Sequence, residues 1–312
     1  MIFEIAERNK IPLGFANADV LRAAYDFEDL QSFLDLYYQG MKVLRTAQDF
    51  HDLTLAYLRR VQKQNVKHAE IFFDPQMHMR HGIAFETVVE GISQAVETAR
   101  DEYGLTAFLI MCFLRDLPPS SAMETLERAL RYRERIIAVG LDSAEVGNPP
   151  SNFTGVFERA RNEGFLAVAH AGEEGPPEYV WQALDLLKVS RVDHGVRSME
   201  DPQLVARLRQ TQVPLTVCPL SNLRLKVVSS LADHPLKKML IAGLRATVNS
   251  DDPAYFNGYI DANYREIATA LVLSDDDLIT LAKNSFLASF LDEATKQRHL
   301  EAIEAVSAVP KR

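Results

Sequence analysis

One device recurs along this sequence: an apolar run of strand length stops at a polar cluster, and a stretch of helical periodicity leads to the next run. Four of the run ends carry side chains suited to metal binding, hydrogen bonding or proton transfer. They are VAHAGEE (Val168 to Glu174), VDHG (Val192 to Gly195), TVCPLSN (Thr216 to Asn222) and TVNSDDP (Thr247 to Pro253). Three earlier runs, KHAEIFFDP from Lys67, LTAFLIMCFL from Leu105 and RIIAVGLDSAE from Arg135, share the pattern. Helical periodicity fills the gaps, over Ala84 to Tyr103, Ser120 to Arg133, Phe153 to Glu163, Pro177 to Lys188, Asp201 to Arg209 and Pro235 to Ala242. Strands alternating with helices across short turns imply right-handed crossovers and a parallel sheet. The runs are apolar almost throughout, as strands covered on both faces must be.

Polar residues gathered at the carboxyl ends of many strands favour a (β/α)8 barrel over a doubly wound sheet, and no glycine-rich phosphate turn follows any strand. Seven strands are legible where such a barrel closes at eight. The chain opens on a helical stretch, Met1 to Asn9, so the first strand is the one expected to be missing, upstream of Met1. Asp29 to Gly40 and Gln48 to Gln64 read as helices before the first strand; Asp261 to Ala270, Asp275 to Leu287 and Glu293 to Ala305 read as helices after the last. With no linker, repeat or low-complexity segment in 312 residues, a single α/β domain spanning residues 1–312 is expected, incomplete at its amino end.

A net charge of −9 leaves no basic face, which argues against nucleic acid or anionic lipid as a partner. The only cysteines, Cys112 and Cys218, lie inside apolar runs; they read as core residues of a protein kept in a reducing compartment. No stretch is long and apolar enough to span a bilayer, and the first ten residues do not have the order of a secretory signal. A soluble, cytoplasmic protein is expected.

His170 and Asp251 are residue types that ligate zinc, which accepts imidazole nitrogen and carboxylate oxygen and keeps a position for water in catalytic sites. Adjacent Asp251 and Asp252 point in different directions at a strand end, so one is free to coordinate and the other to face substrate. Glu173, three residues beyond His170 and across a turn, can approach a metal without ligating it and move a proton. His194 can hold or deprotonate a water acidified by the ion. Taken singly, each has a structural explanation: a satisfied buried histidine, a carboxylate favoured by a helix dipole, a helix-capping turn. Falling together at corresponding ends of strands in one series, they point to a site. His78 and His81 have a short spacing but lie in a polar loop with no carboxylate partner, and they read as solvated, as do His51, His68, His234 and His299.

HAGEE at His170, RVDHG at Arg191, CPLSN at Cys218 and VNSDDP at Val248 together resemble the adenosine/adenine deaminase family of zinc-dependent (β/α)8 hydrolases. The resemblance runs over essentially the whole chain. It implies zinc as cofactor with His170 and Asp251 as ligands, Glu173 as proton donor to the purine ring, His194 positioning the attacking water, and Asp252 binding the base. The segment Gly140 to Pro150 is similar to the adenine-specific branch, and Ser143 and Glu145 are expected to fill space that a ribose would need. The implied reaction is hydrolysis of adenine, a small purine base, to hypoxanthine and ammonia. The alternatives are a deaminase of adenosine or N6-substituted adenines, a related barrel hydrolase acting on an amide or ester, and a catalytically inactive purine-binding barrel.

Two departures from the family pattern stand out. Members carry a His-x-His pair on the first strand, and this chain has no such pair, so weak zinc binding and weak turnover are expected of Met1 to Arg312 alone. Asp116 in FLRD stands where a histidine is expected.

Overall fold

The structure, a computed structural model, describes residues 1–307. Seven strands occur among them: β1 (His68–Phe73), β2 (Thr106–Leu114), β3 (Ile136–Asp142), β4 (Leu166–Ala171), β5 (Arg191–His194), β6 (Leu215–Val217) and β7 (Ala246–Val248). Each coincides with one of the seven apolar runs. The chain forms two compact units, Met1–Val168 and the part from Ala169 onward, with the boundary inside β4.

In the first unit the strands pair in parallel and in sequence order, β1 with β2, β2 with β3, and β3 with the start of β4. A parallel pair needs a crossover, and the helices Phe85–Tyr103, Pro119–Ala129 and Thr154–Asn162 supply it. The second unit repeats the scheme, β5 with β6 and β6 with β7. Order without reversal in either unit is that of a barrel-type α/β protein rather than a doubly wound sheet, where the order turns back at a switch point. All residues of β5, β6 and β7 are buried; β6 and β7 are accordingly mainly apolar without alternation, while β5 buries the polar Arg191, Asp193 and His194.

Gly140 shows how tightly β3 lies on β2. A Cβ there would collide with the Sγ of Cys112, so only glycine lets the buried thiol sit between the strands. The helices begin where local chemistry supplies caps: Asp29 with Ser32, Thr46 with Asp49 and Ser274 with Asp277 form reciprocal capping boxes. No helix among the described residues is long and apolar enough to cross a membrane.

Two sequence expectations need correction. Residues around His78 form a helix, Pro75–Arg80, rather than a polar loop, because the fixed φ of a proline that ends a strand also suits a first helical turn. Pro219 does the same for the helix Pro219–Arg224. Nor are the histidines uniformly solvated. His78 is buried edge-on to Phe50 at 4.8 Å, and His234 is buried at 2% exposure. The His68 ring is also covered, with Nδ1 2.8 Å from Thr106 Oγ1.

Candidate active site

In the second unit the strand ends deliver the four motifs to one cluster. β4 places His170 one residue before its end, and Gly172 follows at φ +70°, a left-handed conformation that only glycine adopts without strain. A Cβ at Gly172 would also press on Val180. The turn is braced from the next strand's loop: Arg197 donates its backbone N–H to the Gly172 carbonyl at 2.9 Å and its guanidinium to that of Glu174. Glu173 is thereby carried inward, and only 3% of it is exposed.

β5 ends on His194, itself at φ +61°, and Asp251 beyond β7 sits at φ +54°. Histidine and aspartate tolerate this region better than most residues, yet it disfavours any side chain by roughly 1–2 kcal/mol. Such outliers persist where surrounding structure holds them, and here both belong to the predicted set.

His194 is the centre of the cluster. Its Nδ1 lies 3.4 Å from Glu173 Oε1, its Nε2 lies 3.7 Å from Asp251 Oδ2, and its ring centroid is 5.1 Å from that of His170. His170 Nδ1 lies 3.9 Å from Asp193 Oδ2, and the other oxygen of Asp193 accepts a hydrogen bond from Thr216 Oγ1 at 2.8 Å. The motif residues Glu173, His170, His194 and Asp251 are therefore brought together. Asp252 follows directly, with its carbonyl accepting from the N–H groups of Tyr255 and Phe256 at the turn beyond.

Cys218, Asp193, Asn222 and His234 also belong to this cluster, and sequence reasoning missed them. One donor atom each from His194, Cys218 and Asp251 lies within 4.8 Å of the others. Burial pushes the Cys218 thiol well above its ordinary range, and the charges of Asp251, Glu173, Asp193 and Asp252 push it further. Four carboxylates around a buried sulfur are a donor set with excess negative charge. A divalent cation fits it, since buried charge of one sign needs a counter-charge. Cys218 and Asn222 lay in a quoted motif but were read as core or left without a role; nothing at His234 except the Pro235 beside it marked that histidine.

Asn263 locks two of the motifs. It accepts the Leu220 N–H at 3.1 Å and donates to the Gly258 carbonyl at 3.0 Å, tying the CPLSN helix to the loop after SDDP.

The remaining predicted residues, Ser143 and Glu145, lie in the first unit, just beyond β3. Ser143, at φ +72°, has its Oγ 2.8 Å from the Tyr38 hydroxyl. Glu145 is buried, and the loop is pinned by Asn148 Nδ2 donating to the Ala144 carbonyl at 2.9 Å and by buried Arg115 Nε donating to that of Asn148 at 2.8 Å. Next to them, donor atoms of Asp74, Cys112 and Asp142 gather within 4.8 Å. Burial, and then the charge and hydrogen bond of Asp74, hold the Asp142 carboxyl well above the usual range. A buried pair of this kind retains one proton between its two carboxyls.

The sequence profile of the family described as adenosine deaminase matches residues 1–306. The chain belongs to the adenosine deaminase family. Among members of that family, adenine deaminase of Sphingopyxis alaskensis (strain DSM 13593 / LMG 18877 / RB2256) is 61% identical over 305 residues, which cover 98% of this chain and 89% of the relative. The crystal structure of adenine deaminase from Arthrobacter aurescens superposes with a TM-score of 0.96 at 51% identity, covering 98% of this chain and 94% of that one. An amidohydrolase from Burkhoderia ambifaria with bound Zn gives 0.89 at 26% identity, covering 98% and 86%. An adenosine deaminase family chain with these neighbours has the α/β, TIM-barrel-like fold that its strand order implies.

Proposed function

We infer that this adenosine deaminase family chain is an adenine deaminase, which hydrolyses adenine to hypoxanthine and ammonia. The observation that carries this reading is the 61% identity to an adenine deaminase across nearly the whole chain. The superposition on a second adenine deaminase supports it.

The residue roles follow from chemistry. Glu173 gives a proton to a ring nitrogen of the purine, which draws electron density from the carbon bearing the amino group. His194 orients the attacking water. Asp252 binds the base. Ser143, held by Tyr38, and buried Glu145 restrict the sugar side. His170 and Asp251 would hold zinc, which would supply the Lewis acidity that lets water act as a nucleophile at neutral pH. Support for zinc comes from the carboxylate-rich donor set and from the amidohydrolase that carries it. Two buried free cysteines accord with a cytoplasmic setting.

Two further expectations belong to this reading. Adenine is expected to be deaminated with a kcat/KM at least about 100-fold above that for adenosine, the scale at which a filled pocket discriminates. Comparable values for the two substrates would overturn the assignment of Ser143 and Glu145. Zinc sites use three or four protein ligands, so His170 and Asp251 alone leave the set short. Met1–Arg312 is accordingly expected to lose most of its zinc on dialysis, read as metal per chain. Retention of a full equivalent would mean that other residues, Cys218 first, complete the set.

A further inference from the structure

The buried polar groups behind His194 form an ordered series. The Leu236 N–H points at His234 Nδ1 at 3.1 Å; His234 Nε2 lies 3.1 Å from Asn222 Oδ1; Asn222 Nδ2 lies 3.5 Å from His194 Nδ1. All three side chains are at most 2% exposed. We propose that His234 and Asn222 are positioning residues that hold His194 in the tautomer with its proton on Nε2.

The series has one direction, set by a backbone group that cannot change. The Leu236 amide always donates, so His234 Nδ1 must present a lone pair. A neutral imidazole carries one proton, which is then on Nε2. Burial keeps this ring neutral, lowering its pKa to about 4. Nε2–H must meet an acceptor, so Asn222 turns its carbonyl oxygen to His234. The amide orientation, ordinarily ambiguous, is here dictated by chemistry. Its NH2 group then faces His194 Nδ1. At 3.5 Å the hydrogen bond is long, but a second N–H directed at it would be repelled, so the lone pair belongs on Nδ1 and the proton on Nε2.

Glu173 Oε1 also faces Nδ1, at 3.4 Å. In the acid form that its proposed role requires, Glu173 offers no charge that would draw the proton onto Nδ1. The proton on Nε2 is directed to the Asp251 side, where the two groups are 3.7 Å apart. The catalytic meaning of this order rests on the role proposed for His194; the order itself does not.

The test is nitrogen-15 NMR of histidine rings in the full chain as purified, with His194→Gln assigning the resonances by their loss. His194 is expected to show a protonated Nε2 and an unprotonated Nδ1. Asn222→Asp, nearly isosteric, offers an acceptor in place of the amide donor and is expected to move the His194 proton to Nδ1. Turnover of adenine by Asn222→Asp should fall about 10- to 100-fold in kcat, with KM little changed, as for other residues that orient a catalytic group. A wild-type His194 protonated on Nδ1 overturns the proposal, as does an Asn222→Asp protein that keeps the Nε2 tautomer. Should Asn222→Asp fail to fold, the wild-type spectrum still decides. A chain with the expected tautomer that turns over no adenine even with zinc supplied in excess would refute the proposed function and leave the relay standing.

Discussion

Replacing Glu173 with Gln is expected to lower kcat for adenine by on the order of 10³- to 10⁴-fold, the upper range of general acid catalysis, while leaving the fold intact. The amide has nearly the same shape as the carboxyl it replaces, so the packing around this buried position is kept. What it cannot do is release a proton to the purine ring. An aromatic carbon bearing an amino group is a poor electrophile without that proton, so the loss should fall on kcat. Zinc content should stay at the wild-type level, since Glu173 is not among the proposed ligands. A variant within a few-fold of wild type would remove Glu173 from the mechanism.

Acidification between pH 6.5 and 4 is expected to destabilise the protein steeply. Burial lowers both His78 and His234 from 6.5 to about 4. Unfolding frees these rings to take up protons, so the unfolded state binds more protons throughout this window. Stability is then full above about pH 6.5 and declines as pH falls through the folded value. A tenfold change in proton affinity is worth about 1.4 kcal/mol, so each histidine costs about 3 kcal/mol by pH 4. Asp142 works in the opposite direction: its raised carboxyl favours the folded state most at low pH, which softens the decline. Denaturant midpoints measured across the window would show the trend. In His78→Phe, where a ring of similar size stays against Phe50, about 3 kcal/mol of the decline should vanish. An unchanged pH profile in that variant would mean that His78 does not carry this share.

How far the sequence was legible depended on the range of the forces involved. Strands β2, β3, β6 and β7 could be read because a strand buried on both faces must be apolar along most of its length, which is a local property. The proline-led helix Pro75–Arg80 escaped because Pro75 carries two meanings, strand stop and helix start, and only the packing of His78 against Phe50 distinguishes them. His170, Glu173, His194 and Asp251 were legible as a group because each follows an apolar run. Cys218 looked like core, and it is buried; its neighbours Asp251 and His194 come from other strands, and nothing within TVCPLSN announces them. His234 was the hardest. Its partners are a backbone amide two residues on and Asn222 twelve residues back, a relation that no spacing rule encodes.

The left-handed backbone at His194 and Asp251 has an evolutionary side. Glycine would relax either position, since it alone occupies that region without penalty. Selection for a more durable molecule and selection for a working one therefore pull these two codons in opposite directions. A duplicated copy released from its task would drift downhill first at the positions that define that task, gaining robustness with the very substitutions that silence it.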